Sequence, residues 1–180
     1  MVSYANTHFA LESLRQDAAK AGREGPRVLV VGPNNAGKSS LVKLLTAYAT
    51  RVGRQPLVVN TDTREGMLSM PGSLTATVFA SIIDMEEGWG SSPTSGPSPV
   101  PVKLPLCYYH GLPSPEDNPK QLFKPLISRL ALAARSRLAD DPDVKSAGVI
   151  IDTSGVISQG KGGYDIISHI VSEFSGTFQV

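Results

Sequence analysis

Two kinds of apolar spacing alternate along the 180-residue chain, and their alternation is the first indication of its fold. Leu11, Leu14 and Ala18 recur at helical spacing behind Asn6 or Thr7, either of which suits a helix cap, and Gly22 to Pro26 should end that helix. RVLVVG, from Arg27, is instead a continuous run rich in β-branched residues, the pattern of a strand covered on both faces. Helical spacing returns from Lys38 to about Thr50, where Leu41, Leu44, Leu45 and Tyr48 predict an inward face. PLVVNTD then predicts a second buried strand, closing at Asp62.

From Ser73 the pattern blurs, and Gly90 to Pro105, rich in Pro, Ser and Gly, reads as an irregular surface loop. LCYYH predicts a third strand, and Asn118-Pro119-Lys120-Gln121 combines a cap, an opening proline and a reciprocal glutamine. Leu122, Leu126, Leu130 and Ala134 supply that helix's stripe, with Pro125 either kinking it or marking its true start. GVIID predicts a fourth strand, a helix follows from near Gly163, and Thr177 to Val180 resembles the opening of another strand. Strand and helix in alternation predict an α/β fold: a three-layer α/β/α domain around a mostly parallel sheet.

Composition narrows the partners. With 41% hydrophobic residues the chain can bury one core, and 17 Lys plus Arg against 16 Asp plus Glu leave a formal net charge of +1. No global field draws such a chain to RNA or to an anionic membrane, so any RNA contact must be local. No apolar run approaches the roughly 20 residues that span a bilayer. Glu12, Arg15, Asp17 and Lys20 stand where a signal peptide would be apolar. The single cysteine, Cys107, fits a reducing compartment and reads as a buried strand thiol.

The chemistry concentrates in VVGPNNAGKSSL, which holds a complete G-x-x-x-x-G-K-[ST] pattern from Gly32 to Ser39, between an apolar strand and an amphipathic helix. In such a loop the backbone N–H groups, here including those of Asn35, Ala36 and Gly37, converge on phosphate at the positive end of a helix. Lys38 would neutralise the β- and γ-phosphates, Ser39 would ligate Mg²⁺, and Ser40 would reach the α-phosphate. Two acids end apolar runs and are candidates to orient the metal's waters: Asp62 and Asp152. On pattern alone Asp152 is the better placed, because IIDTSG also resembles the switch segment of P-loop GTPases. No N-K-x-D segment that would specify guanine occurs here, which favours ATP over GTP.

NTHFALESLR, GPRVLVVGPNNAGKSSL, DTREGMLSMPGSLTA, DMEEGWG, ISRLA and GVIIDTSG together resemble the polyribonucleotide 5′-hydroxyl kinase family, in particular its fungal-type ATP-binding subunits of the pre-mRNA cleavage-and-polyadenylation factor. The likeness runs from about Tyr4 to Val180, and SMPG, at Ser69 to Gly72, is its most distinctive part. Members have an N-terminal β domain, a central P-loop domain and a C-terminal domain, so residues 1–180 are expected to be the central domain alone. The resemblance implies ATP and Mg²⁺ as ligands and a nuclear location. It implies other subunits of that factor as partners, among them the one that binds the RNA polymerase II C-terminal domain, with RNA as a further candidate.

It also makes Asp62 the acid near the metal and, in active kinases, the base for the RNA 5′-hydroxyl, with Asp152 a secondary metal or water partner. Two departures bear on activity. Arg64 and Glu65 replace the Gly and Gln of the active D-x-G-Q pattern, and Val156 follows Thr153-Ser154-Gly155 where active kinases carry a Trp that stacks on an RNA base. Such stacking is worth about 1–3 kcal/mol per base, which valine cannot supply. These departures favour a protein that holds ATP as a structural ligand over an active kinase, with a GTPase switch as a third reading. His8, His110 and His169 lack metal-ligand spacing and read as ordinary hydrogen-bonding residues, Trp89 reads as a packing residue, and Lys120, Lys124, Arg129, Arg135 and Arg137 as a solvated helix face.

Overall fold

A computed structural model describes residues 2–80, 105–115 and 120–175. Trp89, nearly all of the proline-rich stretch, the Asn118-Pro119 helix start and the strand expected at Thr177 to Val180 lie outside the described residues.

The described elements run α1 (Val2–Ala21), β1 (Arg27–Val30), α2 (Lys38–Arg51), β2 (Leu57–Asn60), β3 (Ser73–Val78), β4 (Leu106–Tyr109), α3 (Lys120–Asp140), α4 (Pro142–Ala147), β5 (Val149–Asp152), a 3-10 turn (Gly155–Gln159) and α5 (Lys161–Ser175). The sheet order is β1-β5-β2-β3-β4. β5 pairs in parallel with both β1 and β2, while β3 is antiparallel to β2 and β4 antiparallel to β3. Among the described strands only β3 therefore opposes the others, which accords with the mostly parallel sheet expected.

Alternate residues of the central strands serve opposite layers, as a period of two requires. Val58 and Ile150, with Val30, pack against Leu11 of α1 and Val42 and Leu45 of α2. Leu57, Val59, Val149 and Ile151 face the other way, against Phe123, Ile127 and Leu130 of α3 and Ile166 and Ile170 of α5. Burial on both sides explains why β2 and β5 are unbroken apolar runs.

Several local expectations are corrected. α1 starts at Val2, ahead of Asn6 and Thr7, and its buried stripe is His8, Leu11, Arg15 and Ala18, whereas Leu14 is exposed. In α2 the buried residues are Lys38, Val42, Leu45, Thr46, Ala49 and Thr50, with Leu41, Leu44 and Tyr48 only half-buried. α3 runs through Pro125 and buries Phe123, Ile127, Leu130, Ala131 and Ala134, leaving Leu122 exposed. β3 forms where the apolar pattern blurs, because neighbours on both sides cover Ser73 and Thr75 as completely as Leu74. β4 lies at the edge of the sheet among the described residues, and Cys107 on it is exposed rather than buried.

Candidate functional site

The parallel strands deliver their carboxyl ends to one rim of the sheet, and there the apolar runs turn abruptly polar. Asn60 at the end of β2 with Thr61, Asp62 and Thr63 after it, and Asp152 at the end of β5 with Thr153 and Ser154 after it, are all buried. Register places Asp152 beside Val30 of β1 on one side and Asn60 of β2 on the other. Threonine hydroxyls stitch the rim together: Thr61 donates to the Asp152 carbonyl at 2.7 Å and Thr153 to the Val30 carbonyl at 2.7 Å. These donors let polar segments lie buried without stranding the backbone acceptors beneath them.

From the same rim the loop of residues 31–37 leads out of β1 into α2. Pro33 to Gly37 are exposed, Asn35 and Gly37 have φ of 60° and 79°, and no side chain caps the N-terminus of α2. The left-handed turn at Gly37 and the uncapped amides leave an anion-binding helix end. Lys38 is buried, its Nζ donating to the Pro33 carbonyl at 3.0 Å, so the ammonium spans the loop. Ser39 is half-buried at the loop's inner side and Ser40 is exposed.

The two acids close adjacent strands, Asp152 as the last residue of β5 and Asp62 two residues beyond β2, but differ in environment. Asp62 is held in a turn: its Oδ1 accepts from the Arg64 amide at 2.9 Å, and its own amide donates to Asn60 Oδ1 at 2.9 Å. Burial raises its pKa, Glu65 adds to the rise, and the Arg64 amide, Lys38 and Arg64 oppose it. Asp152 is fully buried, and neither Oδ1 nor Oδ2 has a hydrogen-bond partner among the described residues. Burial first, then the charge of Asp62, push its pKa up to about 6, against the nearby Ser39 hydroxyl and Lys38. A buried carboxylate with a serine hydroxyl close by presents hard oxygen donors, and the Lys38 ammonium near it is a counter-charge for phosphate. This set fits a Mg²⁺ ion held through one or two protein oxygens and phosphates.

Every predicted site residue thus belongs to this rim: Gly32, Asn35, Ala36, Gly37, Lys38, Ser39 and Ser40 in the loop and first turn of α2, with Asp62 and Asp152 next to it. Sequence reasoning missed Asn60, whose side chain brackets Asp62 by also donating from Nδ2 to the Asp62 carbonyl at 3.0 Å. It missed Thr61 and Thr153 as well, although the signal was present as polar runs closing apolar strands. Val156, where the resemblance to active kinases would place a Trp, is 3% exposed and packs in the core with Ile166 and Ile170. A separate cavity of about 350 Å³, lined by Glu24, Arg27, Arg135 and Lys145, opens near the start of β1, away from the loop. Its cations are engaged, Arg27 with Glu24, Arg135 with Glu173 and Lys145 with the Gly22 carbonyl.

Comparison with known proteins bears on the same residues. Residues 32–179 match the family model described as mRNA cleavage and polyadenylation factor CLP1 P-loop. The mRNA cleavage and polyadenylation factor clp1 of Botryotinia fuckeliana (strain B05.10) is 77% identical over 175 residues, covering 97% of this chain and 38% of the relative. The chain therefore spans well under half of that protein's length. A solved structure of a wild-type Clp1p complex with Pcf11p residues 454–563 superposes with a TM-score of 0.86 at 33% identity, over 97% of this chain and 40% of its counterpart. A second, described as an extended interface between Pcf11p and Clp1p and the structural basis for ATP loss in a glycine-to-arginine point mutant, also has a TM-score of 0.86, at 34% identity with the same coverage. By sequence over nearly its whole length and by fold, the chain belongs to the CLP1 P-loop family of mRNA cleavage and polyadenylation factors.

Proposed function

We propose that the protein binds ATP with Mg²⁺ at this rim and serves in the nuclear machinery that cleaves and polyadenylates mRNA, the nucleotide acting mainly as a structural ligand for assembly. The observation that carries the binding is the Lys38 ammonium spanning an uncapped helix end beside the orphaned carboxylate of Asp152. In this reading the loop amides and Lys38 hold the phosphates, Ser39 and Asp152 hold the metal, and Asp62 orders its water shell. The bound metal would neutralise phosphate charge. A partner resembling Pcf11p is supported by the Clp1p complexes that share this fold.

The structural-ligand reading is favoured over catalysis by the core position of Val156, which offers an RNA base no aromatic surface. The kinase remains the second reading because Asp62 stands at the rim next to Lys38's loop. The GTPase reading rested on IIDTSG alone and gains no support from the family.

The deciding experiment offers γ-labelled ATP, Mg²⁺ and a short RNA with a free 5′-hydroxyl to the full-length protein. ATP retained with no label on the RNA, and partner capture reduced in Lys38→Ala, is the expected result. Labelled RNA that disappears in Asp62→Asn would replace it with the kinase reading.

A further inference from the structure

Gly155 has no room for a side chain. A Cβ built there would overlap the Asn34 side chain at Oδ1 and lie 2.6 Å from both Asn34 Cγ and the Asn34 backbone nitrogen. Its φ is not in the left-handed region, so glycine is required by space and not by conformation. Gly37 is the converse case, with φ of 79° and open space around it. Gly32, whose built Cβ would meet nothing closer than 3.6 Å, is not crowded either.

The crowding at Gly155 joins two parts of the molecule. Asn34 lies at the exposed crest of the phosphate loop, while Gly155 is buried and opens the 3-10 turn after β5. A second glycine packs on the same turn one residue on: a Cβ on Gly163, in the first turn of α5, would overlap the carbonyl of Val156, the residue after Gly155. The turn is thus packed between the loop and α5, with a glycine at each contact.

We propose that the Asn34–Gly155 contact is a positioning contact: it forms the wall against which the phosphate loop is held, and it passes nucleotide occupancy to the turn leading into α5. This rests on the nucleotide-binding reading. A loop whose crest is exposed must lose backbone freedom when its amides gather around phosphate. A wall that restricts the crest beforehand lowers that cost, which is the general benefit of preorganisation. Ordering the crest in turn fixes the surface on which Gly155 rests, so a ligand that touches only the loop stabilises residues 155–163.

The test uses the full-length protein, with ATP and Mg²⁺ titrated calorimetrically and amide hydrogen exchange followed over residues 153–165. Gly155→Ala is expected to weaken ATP binding at least about tenfold, the scale of one misplaced charge-assisted hydrogen bond. Asn34→Gly in the Gly155→Ala background removes the overlap at Oδ1 and Cγ but keeps the 2.6 Å contact at the Asn34 backbone nitrogen, so it is expected to recover part of that loss, which general destabilisation would not allow. ATP should slow exchange at 155–163 in the native chain, and less so in Asn34→Gly. Native affinity in Gly155→Ala, or a folded double variant with no recovery, overturns the proposal. Should Gly155→Ala not fold, Asn34→Gly decides alone: ATP-linked protection equal to that of the native chain overturns it. Failure of the native chain to bind ATP would overturn the functional reading as well, whereas native binding that ignores Gly155 overturns this proposal only.

Discussion

At Asp152 a single carboxylate converts its position into a pH dependence. Burial, with the Asp62 charge behind it, raises its pKa to about 6 against the opposing Ser39 hydroxyl and Lys38. An acid whose folded pKa exceeds its unfolded value stabilises the fold below the unfolded value, and loses that stabilisation as pH climbs to the folded one. From this group the nucleotide-free chain should therefore gain stability as pH falls from 7 towards 5. Asp62, shifted in the same direction, adds to the effect. Asp152→Asn should raise stability at pH 7 and flatten the slope, read as urea midpoints across that range. A slope that is unchanged in the variant would place the titration elsewhere. Lys38→Ala acts differently: it removes a charge that spans the loop and should weaken ATP binding about 10- to 100-fold, measured calorimetrically, with the fold kept.

On the scale of an element, α1 is fastened by a cation that the apolar pattern does not predict. Arg15 is 1% exposed, its Nε donates to the Ala147 carbonyl at 2.8 Å, and Glu12 lies 4.0 Å away. Glu12 in turn pairs with Arg54 at 2.6 Å, so α1 is tied both to the end of α4 and to the loop after α2. Removing Arg15 leaves the buried Ala147 carbonyl without its donor while Glu12 keeps Arg54, a loss of about 1–3 kcal/mol. Arg15→Ala should lose that much in urea unfolding, whereas Leu14→Ser, on the exposed side of the same helix, should change stability by less than about 0.5 kcal/mol. A large effect at Leu14 with none at Arg15 would mean that α1 is rotated from its described face. In α3, Phe123→Ala removes a ring that is 1% exposed and should cost about 3–5 kcal/mol.

Over the whole molecule the rim joins elements that share little sequence proximity, which is why a ligand there can act on stability. A nucleotide that binds only the folded chain stabilises it by about 2.7 kcal/mol at a hundredfold excess over Kd. ATP with Mg²⁺ should therefore raise the unfolding midpoint of the full-length protein, and at the same ATP concentration Lys38→Ala should cut the stabilisation to about 0.4–1.4 kcal/mol. An equal shift in that variant would mean that the nucleotide binds elsewhere. The exposed β4 edge and the exposed Tyr109 at its end remain surfaces for which nothing in the described residues supplies a cover.

The sequence by itself determined the features that depend on neighbours in the chain. The phosphate loop, the strands β1, β2 and β5, and the helix after the loop were legible because glycine placement and apolar period are local properties. Both candidate acids were legible for the same reason, as carboxylates closing apolar runs. Tertiary structure alone decided what covers each face. Contacts from other elements bury Thr75 of β3 and Arg15 of α1 while leaving Leu14 and Cys107 exposed. Strand order likewise made Asp62 and Asp152 neighbours, although 89 residues lie between them in the chain. The same packing sent Val156 into the core and set Gly155 against Asn34. Spacing along the chain reports which residues can share a face, but only the assembled layers settle which face is covered and what touches it.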